Sequence, residues 1–194
     1  MTNKQAEIYV SVDIEADGPI PGLHSMLSIG AVAYTAEGKS VGEYTANLET
    51  LPEALPHPSM QAWWEKFPDA WAACRRDPRA PKGVMTEFAA WLEKLPGKPI
   101  FVGWPATWDF MWVYWYLIRF TGLRPFSEHG IDMRSYAMGM RKRDFGRCGK
   151  SYLPKRWFSK HPHTHVALDD AREQGELFIN MFRENMDPEK NHGG

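Results

Sequence analysis

The chain has little cysteine, no long apolar run and no excess of charge of either sign. Its two cysteines in 194 residues, Cys74 and Cys148, match no disulfide framework or metal-binding spacing, so we expect a reducing, cytoplasmic environment. The longest uncharged apolar stretch, residues 110–118, is too short to span a bilayer, and no apolar signal-peptide core precedes the first predicted strand. A formal net charge of −1 argues against a protein that coats long nucleic acid.

The composition that remains is typical of one globular domain. Hydrophobic residues make up 43% and charged residues 24%, and no internal repeat divides the chain. We therefore assign residues 1–186 to a single domain and expect the polar segment 187–194 to be a disordered tail. One segment, 141–160, is strongly basic: against the single acid Asp144 it carries Arg141, Lys142, Arg143, Arg147, Lys150, Lys155, Arg156 and Lys160.

Hydrophobic runs and turn signals predict a mixed sheet covered by helices. Strands at 8–12, 27–34 and 43–48, with a turn at 37–39, are typical of an antiparallel meander. Helices then alternate with single strands, which indicates an α/β domain. The remaining predicted strands are 99–103 and 131–132, and the predicted helices are 59–64, 68–74, 81–95, 107–120, 133–140 and 165–186. Ser59 and Thr107 are the expected N-caps of two of these helices, and Gly122 is the expected stop of the helix 107–120.

Asp13 and Glu15, at the end of the first predicted strand, form the first candidate site. Side chains alternate along a strand, so these two carboxylates point the same way while Ile14 points into the core. Like charges side by side repel, and a divalent cation between them relieves the repulsion. Oxygen ligands of this kind suit Mg²⁺ or Mn²⁺ better than zinc. Taken alone, such a pair is more often a solvated strand end.

Two further sites carry acidic residues, and each also has an ordinary structural explanation. Asp109 comes just after the fourth predicted strand, in the first turn of the next helix, where it could simply interact with the helix dipole. Asp169 and Asp170 could do the same at the start of the last helix, and His165 could be a capping histidine. The ordered combination of these sites with the first pair favours a functional interpretation.

In this order and spacing the chain resembles the DEDDh family of 3′→5′ exonucleases, in the ribonuclease H-like superfamily. The segment 13–18, Asp-Ile-Glu-Ala-Asp-Gly, is similar to the family's first motif, and 27–32 is similar to the strand that follows it. Asp109 stands for the second motif, and 165–171, His-Val-Ala-Leu-Asp-Asp-Ala, is similar to the third and most specific one. The resemblance runs from Ile8 to Phe182. It implies a ribonuclease H-like mixed sheet, an antiparallel meander plus parallel strands, flanked by α-helices.

The resemblance also implies a catalytic site for two divalent ions, Mg²⁺ or Mn²⁺, roughly 4 Å apart on the scissile phosphate. Asp13, Glu15 and Asp170 would hold the first ion, and Asp13 with Asp109 would hold the second. His165 would accept the proton of the attacking water, because the pKa of a histidine can lie near neutral pH.

Three alternatives concern the third motif. His161 and His163 compete for the role of His165, although neither has its spacing to Asp170. A zinc site in this histidine-rich run would lack a thiolate and a fourth ligand. Asp169 competes with Asp170, but neighbouring side chains on a helix point about 100° apart, so only one of the two can face the site.

The predicted substrate-binding residues are Ala16, Gly18, Met26, Leu27, Trp104 and Trp108. Ala16 stands where the family commonly has threonine, and Asp17 follows it, which bears on how the terminal sugar is held. Beyond the lengthened loop 19–24, Met26 or Leu27 would act as a wedge against the last base. Trp104 and Trp108, among nine tryptophans, flank the approach to Asp109 and are expected to stack on bases. The basic segment 141–160 would hold the phosphate backbone.

The predicted function is metal-dependent hydrolysis of phosphodiester bonds from the 3′ end of short or single-stranded nucleic acid. RNA is slightly favoured, and nucleoside 5′-monophosphates are the products. A DNA exonuclease of the proofreading or repair type is the near alternative. A non-catalytic nucleic-acid-binding module of the same fold predicts a broken ligand position, and none is broken; a protein-interaction domain leaves the ordered carboxylates unexplained. A homodimer is implied by resemblance to the small members of the family.

Overall fold

The computed structural model describes residues 5–187, which form a five-stranded sheet and six α-helices. The strands are β1 (Glu7–Ala16), β2 (Met26–Tyr34), β3 (Ser40–Asn47), β4 (Lys98–Gly103) and β5 (Gly130–Asp132). The helices are α1 (Pro58–Trp64), α2 (Pro68–Cys74), α3 (Pro81–Glu93), α4 (Ala106–Thr121), α5 (Met133–Arg141) and α6 (Ala167–Met186). Between α5 and α6 the chain forms three short 3₁₀ turns, Phe145–Arg147, Lys150–Tyr152 and Lys155–Trp157. The predicted disordered tail lies outside the described residues, apart from Asp187 at the end of α6.

The sheet combines antiparallel and parallel pairing around the central strand β1. Its order is β3-β2-β1-β4-β5. β2 pairs antiparallel with both β1 and β3, whereas β4 pairs parallel with β1 and β5 pairs parallel with β4. This arrangement confirms the predicted mixed sheet, a meander plus parallel strands with flanking helices. Among residues 5–187, no helix has both the length and the apolar composition that a bilayer crossing requires.

Alternation along β1 sends its side chains into two different layers. Val12 packs in the cluster that α3 and α4 build on one face of the sheet. Tyr9 points to the other face, where its ring lies 5.3 Å from that of Phe178 in α6. Asp13 and Glu15 have the same parity as Tyr9, so the first two carboxylates lie on the α6 face.

Close packing holds the start of α6 against β1 and β2. Gly30 of β2 is paired with Asp13, and a Cβ atom on Gly30 would lie 2.3 Å from backbone atoms of Ala167 and Leu168. About two turns further along α6, the Gln174 side chain donates a hydrogen bond to the Val12 carbonyl over 2.8 Å. The first turns of α6 are therefore fixed beside the end of β1, where the predicted carboxylates lie.

The two predicted N-caps are wrong, although the helices exist. His57 rather than Ser59 caps α1, because its ring nitrogen accepts a hydrogen bond from the Ser59 amide. α4 begins at Ala106 after Pro105, with no side-chain cap, so Thr107 already belongs to the helix. The predicted stop of α4 is confirmed: Gly122 takes a left-handed conformation with φ of 73°.

Candidate active site

Carboxylates from β1 and α6 converge at the end of the central strand. One oxygen from each of Asp13, Glu15 and Asp170 lies within 4.8 Å of the other two. Asp170 is 2% exposed and Glu15 is 8% exposed, whereas Asp13 is half-buried. The three side chains thus form a compact acidic cluster that retains a path to solvent.

Backbone amides fix the orientation of the Asp170 carboxylate. Its Oδ1 accepts from the Thr164 amide over 2.8 Å, and its Oδ2 accepts from the His165 amide over 3.0 Å. Asp169 points elsewhere, because its carboxylate accepts from the guanidinium of Arg172 over 3.0 Å. The structure therefore brings Asp170, and not Asp169, into the acidic cluster.

Asp109 approaches the end of β1 from α4, which lies on the face of the sheet opposite to α6. In the parallel ladder β4 contacts β1 only as far as Ser11, so the amide of Ile14 has no strand partner on that side. That amide instead donates to Oδ1 of Asp109 over 3.3 Å. The side chain is 2% exposed, and its Oδ2 has no hydrogen-bond partner among residues 5–187. A buried carboxylate oxygen without a hydrogen-bond partner is suited to bind a cation.

Burial disfavours the ionised form of the carboxyl groups in and beside the acidic cluster, and mutual repulsion adds to this effect. Burial, and then the charges of Asp109, Glu15 and Asp170, raise the pKa of Asp13 well above its usual value. Burial, followed by Asp170 and Asp109, does the same to the pKa of Glu15. Burial raises the pKa of Asp109 to about 8. An all-oxygen donor set under mutual repulsion suits a hard divalent ion such as Mg²⁺ or Mn²⁺.

His165 lies beside this cluster, within an aromatic enclosure that the sequence did not indicate. Its ring centroid is 4.9 Å from that of Trp63, nearly perpendicular at 83°, and 4.4 Å from that of Phe67. Burial and the neighbouring His163 lower the pKa of His165. No local pattern could connect these aromatic residues to a histidine about a hundred positions later, since the contact exists only in the folded chain.

His163 also reaches the third motif, although its spacing in the sequence ranked it behind His165. Its Nδ1 lies 3.1 Å from Oδ2 of Asp170, and its ring is 4.6 Å from that of His165. The two histidines differ in surroundings: the His163 ring is about half exposed, at 47%, while that of His165 is packed between aromatic rings. His161 is paired with Glu176, at 3.3 Å.

The residues predicted to hold the terminal nucleotide are mostly buried. Met26 and Leu27 are both 0% exposed, and Ala16 is 2% exposed. A side chain without exposed surface offers no face to a base, which corrects the expectation that Met26 or Leu27 is a wedge. The exposed apolar side chains of this region are Ile20 and Leu23, at 49% and 66%.

The loop after the first motif is closed by its own side chains. The Asp17 carboxylate is buried and accepts a hydrogen bond from the Ser25 amide over 2.5 Å, so it is engaged in the loop rather than aimed at the acidic cluster. A Cβ atom on Gly18 would lie 2.1 Å from the His24 ring. The glycine of the first motif is therefore required by the close approach of that ring.

Trp104 and Trp108 are both half-buried and follow β4 as predicted. Trp104 packs in the cluster of α5 and α6, and the Lys150 ammonium lies 6.0 Å from its ring. The ring of Trp108 lies 6.0 Å from that of the buried Trp112. Base stacking by either tryptophan stays a prediction.

The basic segment 141–160 is partly occupied by internal contacts. Arg156 forms an ion pair with Glu184, and Arg141 donates to the carbonyl groups of Arg147 and Tyr152. Its role in holding a phosphate backbone also stays a prediction.

Comparisons with known proteins agree with this fold and site, although no family model matches the chain. The nuclease domain of 3′hExo, a DEDDh family member solved bound to rAMP, superposes with a TM-score of 0.69 at 12% identity, over 92% of this chain and 93% of that one. Escherichia coli Exonuclease I in complex with a dA16 oligonucleotide gives a TM-score of 0.63 at 15% identity, over 95% of this chain and 42% of that one. The fold is thus that of ribonuclease H-like exonucleases.

A sequence relative defines the family more closely. The 3′-5′ DNA exonuclease Cap18 of Escherichia coli is 30% identical over 177 residues, which are 89% of this chain and 90% of that protein. The chain belongs to the DEDDh family of 3′→5′ exonucleases. The predicted class of enzyme is thereby confirmed.

Proposed function

We propose that the protein degrades single-stranded DNA from its 3′ end, one nucleotide at a time, and releases nucleoside 5′-monophosphates. The main observation that supports this function is the convergence of Asp13, Glu15 and Asp170 within 4.8 Å, next to the Oδ2 of Asp109, which has no hydrogen-bond partner among residues 5–187. Four carboxylates at the end of one strand suit a reaction in which cations neutralise a phosphate.

The preference for DNA reverses the expectation from sequence. The relative at 30% identity is a DNA exonuclease, and this likeness extends over most of both chains. RNA is the second candidate, because a structural neighbour was solved as a complex of a 3′-exonuclease with a histone mRNA stem-loop. Cytoplasmic location and homodimer formation stay predictions.

Two divalent ions, Mg²⁺ or Mn²⁺, are the proposed cofactors. Asp13, Glu15 and Asp170 would hold one ion, and Asp13 with Asp109 would hold the other. When bound, such ions supply activation of water and stabilisation of the leaving oxygen. The protein contributes the fixed oxygen donors, which the amides of Ile14, Thr164 and His165 keep in place.

His165 is the proposed general base, the group that removes a proton from the attacking water. Its lowered pKa keeps the imidazole neutral, and therefore able to accept a proton, at physiological pH. Trp63 and Phe67 restrict the motion of its ring. His163 is the rival because it also approaches Asp170, but its ring is exposed and lacks this enclosure.

A 5′-labelled single-stranded oligonucleotide, as DNA and as RNA of the same sequence, tests both activity and preference. With Mn²⁺ we expect a ladder that shortens from the 3′ end, faster for DNA. Blocking of the ladder by a 3′-phosphate would agree with attack at a free 3′ end. Equal or faster cleavage of RNA would reject the DNA preference while leaving the exonuclease assignment intact.

Neighbouring aspartates provide a matched pair of variants for the metal site. Asp170→Asn removes a cluster oxygen's charge and should lower kcat by about 10³-fold or more, since positioned charge commonly supplies that much. Asp169→Asn changes the adjacent residue, whose partner is Arg172, and should leave kcat within about twofold. Similar rates for the two variants would contradict the assignment of Asp170. His165→Ala and His163→Ala, compared in the same assay, separate the two candidate bases.

A further inference from the structure

The Lys150 ammonium is bound to Glu173, about one helical turn after Asp170 on α6, and the family motifs do not include this lysine. The residue lies in the short 3₁₀ turn Lys150–Tyr152, within the basic segment 141–160. Its Nζ donates to Oε2 of Glu173 over 2.5 Å, and the two side chains are 31% and 8% exposed. A glutamate is rarely as buried as Glu173 unless it is paired. The pairing explains how the ammonium is held, but not what it does there.

The position of this ion pair is defined by the elements that carry the site. Glu173 follows Asp170 by three residues on α6, so the two acids lie on neighbouring turns of one helix face. On the other side, the Lys150 ammonium lies 6.0 Å from the ring of Trp104, which directly follows β4. Lys150 therefore lies between the first turns of α6 and the end of β4. β4 pairs with β1, which carries Asp13 and Glu15, and α6 carries Asp170, so the ion pair lies beside two elements of the site.

Part of the hydrogen-bonding capacity of Lys150 is free. An ammonium has three N–H donors, and among residues 5–187 the one acceptor bound to it is Glu173. By contrast, Arg156 of the same basic segment is bound through two nitrogens to Glu184, near the C-terminal end of α6. Lys150 thus has free donors beside the helix turn that carries Asp170, where an anion bound at the acidic cluster can be met.

We propose that Lys150 is a further catalytic residue, whose ammonium contacts the phosphate of the terminal nucleotide, and that Glu173 is its positioning residue. The proposal rests on the proposed function of the carboxylate site. Hydrolysis adds water across the P–O3′ bond: the hydroxyl oxygen joins phosphorus, and the leaving 3′ oxygen takes up a proton. The singly charged diester becomes a monoester whose new P–OH group loses its proton to solvent near neutral pH, so the phosphate gains negative charge. An ammonium held in place binds the more highly charged state more strongly.

Nucleotide binding provides a direct test that does not depend on turnover. Binding of thymidine 5′-monophosphate in the presence of Mn²⁺ is measured by calorimetry for the wild type, Lys150→Met and a control, Lys155→Met. Lys155 is an exposed residue of the same basic segment, in the turn Lys155–Trp157. Loss of a charge-assisted hydrogen bond should weaken binding by Lys150→Met roughly 10- to 100-fold. Lys155→Met should bind like the wild type, and Lys150→Arg should recover part of the affinity.

Turnover of a small substrate distinguishes contact with the scissile phosphate from contact further upstream. The p-nitrophenyl ester of thymidine 5′-monophosphate contains the reacting phosphate and no upstream backbone. Lys150→Met should lower kcat on this ester about as much as on an oligonucleotide. A variant that lost activity only on long oligonucleotides, through KM, would place Lys150 on the upstream backbone and overturn the proposal.

Two further results separate the possible failures. Equal nucleotide binding by Lys150→Met and the wild type would overturn the role of Lys150 alone, whereas a wild type that bound no nucleotide would overturn the carboxylate site as well. Glu173→Gln keeps the lysine but loosens it, so kcat should fall while the thermal midpoint and the affinity for Mn²⁺ stay near wild type. If Lys150→Met does not fold, Lys150→Gln replaces it in the same comparisons.

Discussion

Replacing Gly30 by alanine should displace the third motif without touching a single site residue. A Cβ atom at this position would lie 2.3 Å from the backbone of Ala167 and Leu168, and ordinary contact begins at 3.4 Å. The start of α6 must therefore move by about 1.1 Å, since backbone atoms cannot rotate away as a side chain can. Asp170 lies on the first turn of that helix and would move with it.

This displacement determines how much the substitution should lower the free energy of unfolding and how much it should lower kcat. Overpacking against backbone should lower the free energy of unfolding by about 2–3 kcal/mol. A misplacement of roughly 1 Å in a group that positions the reaction should reduce kcat by about 100-fold. Unfolding in urea and single-turnover cleavage of a labelled oligonucleotide measure the two quantities separately.

A second glycine provides the control. Gly139 lies inside α5, and a Cβ atom there would meet no atom within 4 Å. Gly139→Ala should raise the free energy of unfolding by about 0.5–1 kcal/mol, because alanine is the better helix former, and should leave kcat unchanged. If Gly30→Ala kept wild-type stability and kcat, the reasoning that places α6 through Gly30 would be refuted.

The remaining predictions concern charge and the histidine. Burial raises the pKa of Asp13, Glu15 and Asp109, the last to about 8, and repulsion adds to the rise for Asp13 and Glu15, so the folded metal-free protein binds protons that the unfolded chain has released. Its free energy of unfolding should therefore fall as pH rises from about 4 to about 8, which urea titrations in EDTA can measure. Asp109→Asn should make this dependence on pH less steep. A free energy of unfolding that increased over the same pH range would contradict the assignment. Mn²⁺ should stabilise the protein more at pH 8 than at pH 5, and EDTA should abolish cleavage, which melting curves and the oligonucleotide assay can follow. Trp63→Ala should lower kcat about tenfold with little change in KM, because the His165 ring loses one of the aromatic rings that enclose it. Trp63→Phe should retain most of the rate. Equal rates for the two variants would exclude a role of Trp63 in positioning His165.

Sequence patterns predicted the sheet and most helices because their hydrophobic periodicity is a local signal. The run that became β1 is apolar on both faces, as expected for a central strand, and Gly122 marked the end of α4 correctly. The caps failed for a local reason: His57, which is outside the usual set of capping residues, took the place of Ser59. The four acids and His165 could be proposed because the family motifs keep them in a fixed order.

What the sequence could not provide are contacts that exist only after folding. Met26 and Leu27 follow the first motif closely, yet they are fully buried because the loop before them closes on itself. The enclosure of His165 by Trp63 joins segments about a hundred residues apart. Similarly, the ion pair between Lys150 and Glu173 turns one member of a basic segment into a component of the site.

The carboxylates and the proposed base of the candidate site are held in place by different features of the backbone. The carboxylates lie on β1, α4 and α6, and Asp109 and Asp170 are oriented by backbone amides, so little reorganisation is needed when cations bind. His165 instead precedes α6 with φ of 59°, a left-handed conformation that costs energy outside glycine. Two contacts stabilise that conformation: the His165 amide donates to Asp170, and the His165 ring packs against Trp63. A ligand that reorganised Asp170 would weaken the first contact, so the state of the metal site and the position of the proposed base are linked through one carboxylate.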